Sequence, residues 1–325
     1  MTVAVDGLLE RARRLEGEIS RRILGQGEVV RQLLVTVLAG GHALVRGVPG
    51  LAKTLLVRAL GEATSLSFKR VQFTPDLLPS DITGSEVLDE AGGDGRRAFR
   101  FLKGPVFVNL LLADEINRTS PKTQAALLEA MAERQVTVGG VTTPLPQPFV
   151  VVATQNPIEQ EGTYPLPEAQ LDRFLLSIRV DYPAEADEVR VLQATTGAPP
   201  PPLQPVLGAE EVLALQRLAR EVAVSQALVE QVARLTRATR PGTAAAAKAA
   251  RHLAWGAGPR GGQALLLAAK ARALLDGRFA VAEADVRALA LPVLRHRLVL
   301  GWSAVSSGVD EDAVVADILA EAGLG

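Results

Sequence analysis

A short apolar strand, a glycine-containing turn and the start of a helix are predicted by the stretch Leu44-Val45-Arg46-Gly47-Val48-Pro49-Gly50-Leu51-Ala52-Lys53-Thr54. A turn bent around glycines directs successive backbone N–H groups at one anion, and the following helix adds the positive end of its dipole. Lys53 can then reach the outer phosphates of a nucleotide, and the Thr54 hydroxyl can bind the accompanying Mg²⁺. Residues 47–54 are therefore predicted to form a phosphate loop.

One position departs from the usual G-x-x-x-x-G-K-[ST] pattern, because Ala52 stands where the last glycine is expected. Alanine is the smallest replacement, but it is strained wherever the backbone φ must be positive. The alternative interpretation is a Gly/Pro turn that happens to precede a Lys-Thr helix start. Sequence features elsewhere in the chain favour the phosphate loop.

Composition narrows the functional classes. The chain has 325 residues, enough for two domains, and a net charge of −1, which argues against general attraction to nucleic acid or an anionic membrane. The absence of cysteine excludes disulfides and thiol catalysis. His42, His252 and His296 lack metal-ligand spacing and are interpreted as structural. No signal peptide and no integral membrane segment are recognised, so we expect a cytoplasmic protein.

Two acids follow a second apolar strand, which we predict over residues 106–113. Asp114 and Glu115 stand where parallel strands end, and ligands bind at that edge of open α/β sheets. Asp114 is placed to hold Mg²⁺, and Glu115 is placed to polarise an attacking water. The alternative is that both acids simply begin a loop.

Polar residues also follow the next predicted strand, residues 149–153, and precede the last one, residues 175–180. Asn156 comes after the first of them and is placed to hydrogen-bond a γ-phosphate or the attacking water, although Asn-Pro also starts turns. Arg173 precedes the second strand. It is either an ordinary surface arginine or a charge that completes a neighbouring subunit's site.

The remaining pattern predicts an α/β domain followed by helices. Ser120 and Pro121 predict a helix start, and Gly139-Gly140 predicts a hairpin turn. Further predicted elements are helices over 6–22, 27–39 and 53–63, a strand over 67–73, and a hairpin of 84–88 and 97–102 around a 90–95 turn. After a dozen-residue helix, residues 198–202 form a Pro-rich linker, and helices are predicted over 209–221, 226–237, 243–255, 261–276, 282–296 and 310–322.

These motifs resemble the MoxR family of AAA+ ATPases over essentially the whole chain, most specifically over residues 23–182. The family's phosphate loop commonly ends Ala-Lys-Thr, which makes Ala52 a family variant. Arg46 differs from the acidic residue expected there. The resemblance rests on residues 24–26, 41–42 and 47–54, Phe73-Thr74-Pro75-Asp76-Leu77-Leu78-Pro79-Ser80-Asp81, Ala113-Asp114-Glu115-Ile116-Asn117-Arg118 and Ala153-Thr154-Gln155-Asn156-Pro157.

The resemblance implies a three-layer α/β/α core with a parallel sheet and a C-terminal all-α lid. It implies a core over 1–182 with inserted hairpins at about 84–102 and 135–148, a linker over 183–207 and a lid over 208–325. The resemblance also implies roles for individual residues. The phosphates are bound by Gly47, Val48, Pro49, Gly50, Leu51, Ala52 and Lys53, Mg²⁺ is held by Thr54 and Asp114, and the adenine pocket is lined by Leu24, Gly25 and Gln26. Glu115 is the base, Asn156 is the first sensor, Arg173 is an arginine finger acting in trans, and Arg260 is the second sensor, in cis or across an interface.

The function implied is ATP hydrolysis by a ring, expected to be a hexamer, that remodels a client protein with a von Willebrand A-type partner. A magnesium chelatase-like motor shares nearly every motif and stays open. A nucleic-acid motor is disfavoured, because residues 135–148 contain no Lys or Arg, and Arg96 and Arg97 are offset by Asp89, Glu90 and Asp94. A small-molecule kinase is the remaining alternative, and it would leave both hairpins and Arg173 without a purpose.

Overall fold

A parallel five-stranded sheet forms the centre of the protein. The computed structural model describes residues 2–91, 96–157, 162–198 and 200–324. The sheet order is β2-β5-β8-β1-β9. The strands of the chain are β1 (Ala43–Gly47), β2 (Phe68–Gln72), β3 (Gly84–Ala91), β4 (Arg96–Lys103), β5 (Leu110–Asp114), β6 (Gln135–Val138), β7 (Val141–Pro144), β8 (Val150–Gln155), β9 (Leu176–Val180), β10 (Leu253–Trp255) and β11 (Val299–Leu300).

Helices cover both faces of this sheet. They are α1 (Thr2–Ser20), α2 (Gly27–Leu38), α3 (Lys53–Glu62), α4 (Pro79–Thr83), α5 (Pro121–Glu133), α6 (Glu168–Leu171), α7 (Glu185–Thr196), α8 (Ala209–Glu221), α9 (Gln226–Ala238), α10 (Pro259–Leu275), α11 (Glu283–Leu294), α12 (Trp302–Ser306) and α13 (Glu311–Glu321). Leu110 and Leu112 of β5 pack with α1–α3 and the C-terminal helices, whereas Leu111 and Ala113 pack with α5 on the other face. The alternation follows from the two-residue repeat of a strand.

The strongly periodic helix predicted after residue 26 is confirmed as α2. The apolar set predicted for its face recurs in adjacent pairs every four positions, and all six of its residues, Val29, Val30, Leu33, Leu34, Val37 and Leu38, are buried. The predicted start of α5 is also confirmed, because the Ser120 hydroxyl accepts a hydrogen bond from the Thr123 N–H and Pro121 is the first helical residue.

Both predicted hairpins are present as antiparallel pairs, β3 with β4 and β6 with β7. Gly139 and Gly140 have φ of 58° and 79°, the two consecutive positive values of a tight hairpin turn. The tip of the first hairpin at 92–95, and the charged side chains weighed there at Asp89, Glu90, Asp94, Arg96 and Arg97, lie outside the described residues. So does Pro199 of the linker.

The lid is formed by α8–α13 and packs directly on the core. Helices α8 and α10 contact α2, and α11 contacts β9. Residues 200–207 run along the core, where the Val206 N–H donates to the Ala63 carbonyl at 2.8 Å and Leu207 is buried. The observed architecture is the α/β core with a helical lid that was predicted.

The strand predicted over 106–113 is wrong at its beginning, since β5 starts only at Leu110. Val106 is fully buried, but its N–H donates to the Ile82 carbonyl and Val108 turns back on the Val106 carbonyl. The Asn109 side chain then joins Ser67 to Pro148. A run of apolar residues indicates that a segment is buried, but it does not indicate which structure the segment forms. Here the buried segment forms a turn.

The helix predicted over 243–255 is also wrong. The chain turns at Gly242, with φ of 72°, and then forms a short 3₁₀ helix, Lys248–His252, and strand β10. The Glu321 carboxylate accepts hydrogen bonds from the Lys248 and Ala249 N–H groups, and Leu253 pairs with Leu300 of β11. These tertiary contacts outweigh the high helix propensity of the alanine run.

Among the described residues, no helix is both long and apolar enough to cross a membrane.

Candidate active site

The phosphate loop connects β1 to α3 and has the backbone that its glycines predict. A Cβ on Gly47 would lie 2.6 Å from the Val180 carbonyl oxygen, so a side chain there would displace β9. Gly50 has φ of 85°, and Ala52 has φ of 57° in the left-handed region. The strain predicted for Ala52 is therefore present, at about 1–2 kcal/mol.

Lys53 and Thr54 begin α3 and point toward the ends of neighbouring strands. The Lys53 ammonium donates to the Gly47 carbonyl and lies 3.4 Å from the Gln155 carbonyl of β8. The Thr54 hydroxyl donates to Asp114 Oδ2 at 3.1 Å. The structure thus joins the loop to the first predicted acid, sixty residues further along the chain.

Asp114 is buried, with 6% of its surface exposed, and is held by three side chains. Besides Thr54, the Thr154 hydroxyl donates to its Oδ1 at 2.6 Å. Arg70 of β2 lies 2.8 Å from Oδ2. A buried carboxylate needs such partners, because desolvation penalises its charge. These contacts fix the carboxylate at the carboxyl edge of the sheet.

Glu115 has a strained backbone, with φ of 58° and ψ of 51°. Its N–H donates to the Thr154 hydroxyl at 2.9 Å, which holds the residue in this conformation. The carboxylate accepts hydrogen bonds from Gln72 at 2.7 Å and Arg118 at 3.1 Å. Left-handed backbone in a residue other than glycine costs about 1–3 kcal/mol and concentrates at functional sites.

Asn156 is buried at the end of β8, next to Gln155. The preceding Gln155 accepts a hydrogen bond from Arg46 at 3.2 Å. Burial lowers the pKa of Arg46, and the nearby carboxylate of Glu311 raises it in part. Arg46, unexplained by the sequence, therefore faces acidic residues of the lid.

A cavity of about 300 Å³ opens beside the phosphate loop. Its lining joins the loop to the strand β9 edge and to the lid. Seven of the lining residues are charged: Arg46, Arg179, Asp181, Arg295, Asp310, Glu311 and Asp312. Burial raises the pKa of Glu311, which faces Arg46 across this space.

Of the three predicted adenine residues, Gln26 contacts a residue that lines the cavity. The Gln26 side chain donates to the Asp181 carbonyl at 2.9 Å, and Asp181 lines the cavity. Gly25, with φ of 71°, packs so closely on Asp187 that an added Cβ would lie 2.6 Å away. Leu24 is half-buried.

Arg173 and Arg260 lie apart from the residues around the phosphate loop. The Arg173 guanidinium is exposed and donates to the Leu128 carbonyl of α5 at 3.1 Å. Arg260, at the start of α10, lies 3.8 Å from Asp172, and its side chain is 69% exposed. Among the described residues, neither arginine contacts the phosphate loop, Asp114 or Glu115.

Comparisons with known proteins assign this arrangement to a family. The model of the ATPase family associated with various cellular activities (AAA) matches residues 42–176, and an AAA lid domain model matches residues 245–318. The Mycobacterium tuberculosis protein named chaperone MoxR1 is 44% identical over 303 residues, which cover 93% of this chain and 79% of that protein. This chain belongs to the MoxR family of AAA+ ATPases.

A crystal structure supports the assignment to the MoxR family. A protein of Cytophaga hutchinsonii described as a candidate ATPase superposes with a TM-score of 0.89 and 38% identity, covering 98% of this chain and 97% of that one. The magnesium-chelatase 38 kDa subunit of Acidiphilium rubrum is 28% identical, over 85% of this chain and 89% of that subunit. MoxR membership assigns ATPase activity and nucleotide use to this chain, and it sets the small-molecule kinase alternative aside.

Several residues of this MoxR-family site escape sequence reasoning. Arg70 and Gln72 alternate on β2, and their strand pairs with β5 in a register that sets Gln72 opposite Asp114. That alternation indicates that both side chains lie on one face of β2, but their place in the site becomes clear only once the pairing of β2 with β5 is known. Arg297 of the lid, which contacts the segment around Arg173, has no sequence signal at all.

Proposed function

We propose that this chain is the subunit of a ring-shaped, ATP-driven motor that remodels a client protein. One observation carries the proposal. Lys53 and Thr54 of the phosphate loop reach the sheet edge, where Thr54 contacts Asp114, whereas Arg173 lies elsewhere on the surface. The proposed site needs a further positive charge, and the chain exposes an arginine away from its own site. This combination favours a site that is completed by an arginine from a neighbouring copy of the chain. The proposed division is a core over 1–182, a linker over 183–207 and a lid over 208–325.

In the proposed site the loop backbone and Lys53 bind the phosphates. Thr54 Oγ1 and Asp114 Oδ2 lie 3.1 Å apart and are oxygen donors of the type that Mg²⁺ prefers, so this pair fits the ion. When bound, Mg²⁺ neutralises charge on the phosphate oxygens. Arg70 shares Asp114 Oδ2 and must release it for a ligand there.

Glu115 is the proposed base, which orients and polarises the attacking water. Its carboxylate is held by Gln72 and Arg118, and Asn156 lies at the end of the adjacent strand. Asn156 is proposed to sense the γ-phosphate or the water. The cavity bordered by Asp181, together with residues 24–26, is proposed to receive the nucleoside.

Arg173 is proposed to act on ATP held by the neighbouring subunit, with Arg260 approaching the same interface. An arginine finger accelerates hydrolysis by about 10³–10⁵-fold in well-studied nucleotide hydrolases. Without it, positioning and charge stabilisation remain incomplete. We therefore propose a closed ring, expected to be a hexamer, as the active form.

The proposed partner is a von Willebrand A-type protein, and the proposed client is a protein that matures in the cytoplasm. The M. tuberculosis relative is named a chaperone, which supports a remodelling role. The second hairpin, β6–β7, carries no Lys or Arg over residues 135–148, which favours a protein client over a nucleic acid.

The test uses a tagged Glu115→Gln chain, which we expect to bind ATP without hydrolysing it. With ATP, light scattering should report a ring, and affinity purification from the native cell should retain a von Willebrand A-type protein with its client. The Lys53→Ala chain, which cannot hold ATP, is the control. A monomer in saturating ATP, or wild-type activity per subunit that survives extreme dilution, would contradict the proposal.

A chelatase-like motor is the second candidate, favoured by the alignment with the magnesium-chelatase subunit. Copurification of the Glu115→Gln chain with a metal-inserting enzyme in place of a protein client would select it.

A further inference from the structure

A buried lid arginine holds both sides of the predicted finger. Only 4% of the Arg297 side chain is exposed. Its Nε donates to Asp172 Oδ1 at 2.8 Å, and its Nη2 donates to the Phe174 carbonyl at 2.7 Å. Its Nη1 lies 3.3 Å from the Leu175 carbonyl. The finger segment, residues 172–175, is thus fixed by one guanidinium on either side of Arg173.

This contact is costly unless it is well satisfied. Burial lowers the pKa of Arg297, and the charge of Asp172 opposes that shift. The planar guanidinium offers five donors in a rigid fork, so it can bind a carboxylate and several carbonyls at once. His296, also buried, lies 3.0 Å from the Phe174 carbonyl and adds a further contact. The lid therefore helps to fix the finger backbone, together with the core, where the Leu175 N–H donates to the His42 carbonyl at 2.8 Å.

The Arg173 side chain itself has much less support. It is exposed and has its hydrogen bond to the Leu128 carbonyl. Its reach toward another subunit thus depends on where its backbone is held. A displacement of about 1 Å at a catalytic group can cost on the order of 100-fold in rate.

The same turn of the lid also borders the chain's own phosphate loop. Arg295 lines the cavity beside the loop and pairs with Asp312 at 3.0 Å. Arg295–Arg297 form one short 3₁₀ turn, so the cavity side and the finger side are two residues apart. A change at the cavity that shifts this turn must also shift the contacts of Arg297.

We propose that Arg297 is a positioning residue through which the lid of one subunit aims Arg173 at the ATP of the next subunit. The proposal rests on the proposed function, in which Arg173 acts in trans. The partner is a second copy of this chain.

The test co-assembles two variants, each defective in a different half of the site. Lys53→Ala chains cannot hold ATP but still present Arg173. Arg173→Ala chains hold ATP but present no finger. Activity of the mixture therefore arises where a Lys53→Ala chain meets the site of an Arg173→Ala chain. Arg297→Met is then added to one chain or to the other.

We expect Arg297→Met in the Lys53→Ala chain to lower kcat by about 100-fold, with KM for ATP changed by less than about twofold. In the Arg173→Ala chain the same substitution should add no loss, because that chain delivers no finger. Arg297→Lys in the finger-donating chain should restore part of kcat. Arg287→Met, on an exposed part of α11, is the matched control and should leave activity unchanged.

Equal loss from Arg297→Met in either chain would show a general structural role and overturn the inference, as would no loss in either. An inactive mixture of the two parent variants would instead show that Arg173 does not act in trans. That result is obtained before residue 297 is changed, so failure of the proposed function can be distinguished from failure of the role proposed for Arg297. Thermal melting of each Arg297 variant verifies that the chain is folded.

Discussion

The phosphate-loop half of the site and the finger half are built in different ways. Around the loop, Thr54, Asp114 and Thr154 are hydrogen-bonded to one another within the sheet's carboxyl edge. In the finger segment, Arg173 is exposed, and the flanking residues are held by Arg297 from the lid. The first half is rigid because strands β1, β5 and β8 are adjacent. The second half is held by contacts with a separate group of helices, those of the lid.

In the proposed function, this difference separates ATP binding, which depends on the loop half, from ATP hydrolysis, which also depends on the finger half. In the proposed function, the loop half supplies what phosphate recognition needs from one chain. The finger half depends on contacts from the lid, and in the proposed function it supplies charge to a different copy. Substitutions in the two halves should therefore have different kinetic signatures.

The largest expected effect is at the finger. Arg173→Ala should lower kcat by about 10³–10⁵-fold while ATP binding persists, since the loop half is intact. Nucleotide binding by fluorescence and turnover by phosphate release check this. Arg58→Ala, at an exposed arginine of α3 with 67% side-chain exposure, is the control. Normal turnover by Arg173→Ala would remove the finger from the site.

The next effect lies in the loop half. Glu115→Gln should reduce hydrolysis by about 10²–10⁴-fold, because the amide cannot take a proton from water. ATP affinity should be kept. Single-turnover kinetics measure the chemical step, with Glu129→Gln on the exposed face of α5 as control. Rapid hydrolysis by Glu115→Gln would refute its role as base.

Low pH should lower the free energy of unfolding, because a buried histidine lies near each half of the site. Burial lowers the pKa of His42, at the start of β1, to about 4, and that of His296, beside the finger segment, well below its ordinary value. The unfolded chain binds protons below about pH 6.5 while these rings stay neutral, so the stability they contribute is present above that pH and is lost as the pH falls.

Between pH 7.5 and 5, His42 alone should account for about 2 kcal/mol of lost unfolding free energy. Denaturant unfolding of His42→Gln should show a pH dependence smaller by that amount, even if the variant is less stable at every pH. His252→Gln, at a half-buried histidine of the lid, is the control. An unchanged pH dependence in His42→Gln would contradict the assignment.

The smallest expected effect is at Ala52. Glycine removes about 1–2 kcal/mol of left-handed strain but costs about 0.5–1 kcal/mol in chain entropy, so Ala52→Gly should stabilise the protein by roughly 0.5 kcal/mol. Ala52→Val should destabilise it, since a β-branched residue tolerates positive φ poorly. Denaturation midpoints measure both. A destabilised Ala52→Gly would show that the alanine methyl is required.

Local sequence patterns predicted much of the loop half. Strand β1, the glycine turn and α3 follow one another in the chain, and their chemistry is encoded in consecutive residues. The buried face of α2 and the start of α5 were also legible, because helical periodicity and capping are local. The turn at 106–109, and the 3₁₀ helix and short strand that follow Gly242, were missed, since an apolar or alanine-rich run does not specify which distant group it will meet.

The sequence alone therefore determined the elements, their order and the phosphate loop, because these depend on neighbours within a few residues. Tertiary structure decided which side chains share the site. Arg70 reaches Asp114 from another strand, and Arg297 reaches Asp172 across 125 residues of sequence. Such contacts depend on how the lid and the sheet pack, and packing of distant segments leaves no periodic signal in the chain.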